Sequence, residues 1–110
     1  MTSERSRQIE LLERVHSGIA DLTQSRERVL AQIAALEEQL ATLEQQIGNA
    51  RQFGRDDLAQ AALTRLNSGQ SQIAALKSQL EQVLAQREKL TAAAQRLQAK
   101  IDGAGGTTAL

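Results

Sequence analysis

The sequence predicts an all-α protein, a long antiparallel two-helix coiled-coil hairpin with its bend near residues 53–56. Three observations carry this expectation: two heptad ladders, the single Phe-Gly pair between them, and the phase of one ladder against the other. In the first half, apolar residues recur at alternating steps of three and four, through Leu12, Val15, Ile19, Leu22, Val29, Ile33, Leu36, Leu40, Leu43, Ile47 and Ala50. Arg26 alone interrupts that seam. The second half repeats the pattern with Ala59, Ala62, Leu66, Gly69, Ile73, Leu76, Leu80, Val83, Arg87, Leu90, Ala94, Leu97 and Ile101. A sustained 3.5-residue period is the mark of a coiled coil. Folding about Gly54-Arg55 sets a-type positions of one ladder opposite d-type positions of the other. Leu43 then meets Leu66, Leu36 meets Ile73, Ile33 meets Leu76, Val29 meets Leu80 and Leu12 meets Leu97.

Taken in order, residues 1–7 are polar and expected to fray, and the first helix is expected from about Ser6 to Gln52. At 1.5 Å per residue it is roughly 70 Å long. Gly54 suits the left-handed conformation that ends a helix. Asp56 or Asp57 is expected at the N-cap of the second helix, and Asp57 with Gln60 has capping-box spacing. That helix, about 57–102, gives way to a flexible tail, 103–110, opening with Gly103-Ala104-Gly105-Gly106. Gly48-Asn49 and Asn67-Ser68-Gly69 lower helix propensity on either side of the bend. A break at Asn67 to Gly69, leaving a short separate helix from Asp57 to Leu66, is the main structural alternative.

Composition bounds function. The 110 residues include one Phe and no Trp, Tyr, Pro or Cys, so a conventional aromatic core and a thiolate metal site are both excluded. A two-helix hairpin buries only a narrow seam, so further helices from a partner or another copy are expected to cover its flanks. The 13 basic and 13 acidic residues are interspersed and leave no broad positive field, which disfavours nucleic-acid binding. A modest basic bias in Arg87, Lys89, Arg96 and Lys100 fits the preference for cations near a helix C-terminus. No segment approaches the roughly 20 apolar residues that span a bilayer, and the charged N-terminus has no signal-peptide core. The expected location is cytoplasmic, with a peripheral position at the inner face of the cell membrane as an extension.

No catalytic constellation is evident, and neither a cofactor nor a metal is expected. His16, the sole histidine, reads as a packing residue on the seam's flank. Glu37-Glu38 and Asp56-Asp57 are sequence neighbours whose side chains diverge on a helix, so they read as solvated face and cap. Arg26 faces Val83 and Arg87 faces Leu22 in this register; their stems are expected to cover the seam while the guanidinium groups reach water, Glu27, Glu81 or Glu88. Leu30, Leu63 and Leu84 occupy e positions and widen the apolar stripe. Phe53 is expected to cap the end of the seam, with a contact at the bend as its functional alternative.

The segment Gly54-Arg55-Asp56-Asp57-Leu58-Ala59-Gln60-Ala61-Ala62-Leu63 resembles the hallmark of the phage shock protein A family, in which a hairpin bend precedes Gly/Glu-Arg-Glu-Asp-Leu-Ala-Arg-x-Ala-Leu. The resemblance implies a hairpin from a membrane-stress system whose members assemble on anionic membranes and restrain an AAA+ transcriptional activator. The charged stretch Met1 to Gln8 departs from the family's amphipathic membrane helix, and Leu43 stands near the place of its pre-bend aromatic. A stand-alone hairpin is therefore expected to bind, cap or regulate such an assembly instead of building it. Length and topology also resemble the secreted WxG-type hairpins, although the intervening bend residue and the export tyrosine are missing.

The expectation is thus a non-enzymatic interaction protein that associates with a protein partner or with itself through its apolar flanks, with peripheral contact to an anionic membrane as a further expectation. Its binding residues are placed at the bend, Phe53, Arg55, Asp56 and Asp57, and on the flank, Leu30, Leu63 and Leu84. The rival is a purely structural spacer or oligomerisation coil.

Overall fold

The computed structural model describes residues 3–106, with side chains as far as residue 103. They form two helices, α1 (Glu4–Gln52) and α2 (Asp56–Gly106), joined by the bend at 53–55. The fold is all-α, and the bend returns α2 antiparallel to α1. The chain divides into two compact units, each built from a piece of both helices. One spans Glu27–Glu81 and contains the bend; the other joins Met1–Arg26 to Gln82–Leu110.

In the bend unit the seam closes through two clusters. Buried Val29, Ile33 and Ile73 pack with Leu36, Leu40, Leu76 and Leu80, and buried Ile47, Ala59 and Ala62 pack with Leu43, Ala50, Leu63 and Leu66. The layer partners read from the heptads, such as Ile33 with Leu76 and Leu43 with Leu66, fall together in these clusters. No break occurs at Asn67 to Gly69, because α2 is continuous there. Gly69 is buried, and a Cβ on it would stand 2.5 Å from Leu40 Cδ2. The missing side chain is the hole that receives the Leu40 knob, so packing offsets the lost propensity.

In the second unit, buried Leu12, Ala94 and Ile101 pack with Val15, Ile19 and Leu97. Its seam then turns polar. Arg87 Nε donates to Thr23 Oγ1 at 2.8 Å, and Thr23 Oγ1 donates onward to the Ile19 carbonyl at 2.9 Å. Both arginines depart from expectation. Arg87 finds a hydroxyl across the seam in place of a glutamate. Arg26 is half-buried, yet its Nε is fully buried with no acceptor, because the stem that covers the seam draws the first guanidinium nitrogen down with it.

The ends of the helices also differ from expectation. α1 starts at Glu4, two residues early, because Ser3 acts as its N-cap: Ser3 Oγ accepts from the Ser6 N–H at 3.1 Å, and the Ser3 carbonyl accepts the first helical bond from Arg7. α2 runs on to Gly106 instead of ending near Asp102, and so takes in the first glycines of the expected tail. Buried Ile101 and the Gln98 to Asp102 side-chain bond of 3.0 Å hold the turn from which the backbone ladder propagates. Residues 1–2 and 107–110, where fraying and the rest of the tail were expected, lie outside the described residues.

Two stability outcomes follow. Nothing lies within 4 Å of a Cβ at Gly48, so Gly48→Ala is expected to raise the unfolding free energy by about 0.5–1 kcal/mol. Gly69→Ala is expected to gain less, since Leu40 must turn aside; equal gains in urea titrations would refute the knob-in-hole seat. Arg26→Leu removes an unpaired buried donor and is expected to stabilise by about 1 kcal/mol or more, whereas Thr23→Val orphans Arg87 Nε and is expected to cost about 1 kcal/mol. Thermal melts of both variants check the opposite signs.

Candidate functional site

The bend is built by two interlocked caps. Phe53 N–H still reaches the Asn49 carbonyl at 3.2 Å, after which Gly54 adopts φ 66°. Gly54 N–H then bonds to the Arg51 carbonyl at 3.1 Å and Arg55 N–H to the Ala50 carbonyl at 2.7 Å. This pair of bonds is a Schellman motif, which only a residue tolerant of positive φ closes without strain. The Arg55 carbonyl accepts the Ala59 N–H at 3.1 Å, which makes Arg55 the N-cap residue of α2. The expectation that Asp56 or Asp57 holds that position is thereby corrected. Both aspartates lie inside the first turn instead, where the positive end of the helix dipole favours them.

Asp57 meets the Arg55 guanidinium with both oxygens, Nε to Oδ1 and Nη2 to Oδ2, each at 3.2 Å. Arg55 first, and the Leu58 N–H second, hold the Asp57 carboxyl below the usual aspartate value. Both side chains are more than half exposed, so the pair orients the bend more than it stabilises it.

Phe53 does not cap the seam, for it is 77% exposed. The four-residue step from Ala50 leads to Gly54, which leaves Phe53 on the flank. Beside it stands Leu58, 50% exposed. Between them a groove of about 460 Å³ opens over the small side chains Ala50, Ala61 and Ala62, edged by Gln46, Asn49, Arg55 and Arg65. A second groove of about 470 Å³ lies over Leu40 and Gly69 and shares Gln46 and Arg65 with the first.

The structure thus brings Phe53, Arg55, Asp56 and Asp57 together at an exposed bend. It does not gather the flank leucines with them. Leu30 is exposed along α1 in the same unit, and Leu84 is exposed in the other unit. Leu63 is half-buried against the Ile47, Ala59 and Ala62 cluster, so it serves the core more than a surface. Sequence reasoning missed Leu58 and Arg65 at the bend and the exposed Ile9 and Leu11 near the start of α1. Leu11 and Leu58 precede seam positions and occupy g sites, the flank opposite the e sites, so the same heptad lettering contained the signal for both.

His16 is exposed, and no group of three or more His, Cys, Asp or Glu side chains gathers among the described residues. No described helix is long and apolar enough to cross a membrane. Comparison with protein-family models, characterised proteins and solved structures gave no match. The two-helix hairpin, with large apolar side chains exposed on its helix faces, suits protein association or self-association.

One pH outcome follows from the bend. A carboxyl lowered in the folded chain contributes its full stabilisation above the unfolded value and loses it as pH falls through the folded one. The Asp57 carboxyl is therefore expected to titrate below the usual aspartate value in an NMR pH series, and Arg55→Ala to move it upward. An unmoved midpoint would remove the ion pair as the cause.

Proposed function

We propose that this chain is a non-enzymatic coiled-coil interaction protein that engages a protein partner at its bend. Following its resemblance to the hairpin of the phage shock protein A family, the partner is a membrane-stress assembly or the transcriptional activator that such an assembly restrains. The setting is cytoplasmic, at or near the inner face of the membrane, and any membrane contact is peripheral. The exposure of Phe53 beside Leu58, on a bend oriented by the Arg55–Asp57 pair, is the observation that carries this proposal. Two large apolar side chains beside a groove floored by alanine lose water only when something covers them, and aromatic and arginine side chains are the usual anchors of interfaces.

Replacing Phe53 by Ser, or Arg55 and Asp57 together by Ala, is expected to abolish capture of the partner from lysate while circular dichroism and solution mass stay unchanged. Parallel loss of helicity, or undiminished capture, would sink the proposal. A defined oligomer that captures nothing, with or without the substitutions, would establish the spacer alternative. Sedimentation with anionic liposomes that weakens as salt rises is the expected sign of peripheral membrane contact, and no binding at low salt removes that contact.

A further inference from the structure

Resting on the bend as a contact site, we propose that its occupant is an acidic amphipathic helix of a partner protein, laid along the two joined grooves of the bend unit. The form of the occupant follows from the backbone. The walls are α1 and α2, whose N–H and C=O groups are spent within the helices, so no free edge exists to pair with an extended strand. Affinity must come from side chains, and the helix-in-groove mode supplies it.

The grooves meet at Gln46 and Arg65, so together they make a track instead of a single pit. At the bend end the floor is alanine and the walls are Phe53 and Leu58, which lets large aliphatic side chains of a partner sink in. Further along, Leu40 and Gly69 continue the apolar floor between polar walls that include Gln39, Thr42, Ser68 and Gln72.

Charge decides the partner's chemistry. Neither groove is lined by any aspartate or glutamate, whereas Arg55 edges the first and Arg65 edges both. Arg55 is already engaged by Asp57. Arg65, exposed and midway along the track, is the cation that a carboxylate on the partner helix would meet. A basic helix would meet Arg65 unfavourably, with no acid in the lining to offset it.

Selection of helical peptides from a displayed random library on the full chain tests this. Peptides whose binding falls roughly tenfold or more with Phe53→Ser or Leu58→Ser are expected to combine aliphatic residues at i, i+3 or i+4 with glutamate or aspartate. Arg65→Glu is expected to reject those peptides and Arg65→Lys to retain them, with unchanged circular dichroism in every variant. Bend-dependent peptides that are basic or neutral, or that ignore Arg65→Glu, overturn the acidic-helix inference and leave the bend as a contact site. Absence of any bend-dependent peptide overturns both. Two other results also overturn the inference by naming a different occupant. One is concentration-dependent self-association in sedimentation velocity that Phe53→Ser abolishes, which assigns the track to a second copy. The other is binding to anionic phosphatidylglycerol vesicles lost in the same variant, which assigns it to lipid.

Discussion

Two helices can shield from water only the stripe that each turns toward the other, and in each unit of this chain everything else follows from that geometry. Every layer must be filled by one a and one d residue, so a layer succeeds only if the two side chains fit one another. Leu40 opposite Gly69 and Ile47 with Ala59 and Ala62 are large residues matched to small ones. Even so, no large side chain is completely buried among the described residues. A stripe this narrow covers Leu63 only in part and leaves Ile9, Leu11, Leu30, Leu58 and Leu84, at other e and g positions, exposed. The interaction surface is a by-product of the same constraint that makes the fold.

The polar layers of the second unit show the converse. An arginine at a seam position displaces an apolar neighbour and must find an acceptor within the seam or beyond it. Arg87 finds Thr23, and that bond exists only when residue 23 stands against residue 87, so it ties register to a directional contact. Arg26 leaves Nε unpaired and trades stability for coverage of the stripe by its stem. Polar seam residues of this kind fix alignment in coiled coils because misaligned states lose the acceptor.

Periodicity made most of the fold legible. The heptads place Leu12 with Leu97 and Leu36 with Ile73, and each pair shares a cluster in the structure. Gly54 was legible because few other residues accept its φ. What escaped was everything that depends on a single residue of offset or on a side-chain rotamer. Preference for aspartate at an N-cap pointed to Asp56 or Asp57, but the Schellman bonds bring Arg55 to that position first. Phe53 looked like a lid because it is large and apolar, yet its heptad position turns it off the seam. The depth of Arg26 Nε and the groove floored by alanine arise from how stems and gaps settle, which no period encodes.

Arg55 carries one further implication. Its N–H closes the last turn of α1 and its carbonyl opens the first turn of α2, so a single peptide-flanked residue belongs to both helices. Fraying of either end frees the residue whose other backbone group holds the second end. The two termini at the bend are therefore expected to open together, with their amides exchanging with solvent in the same event.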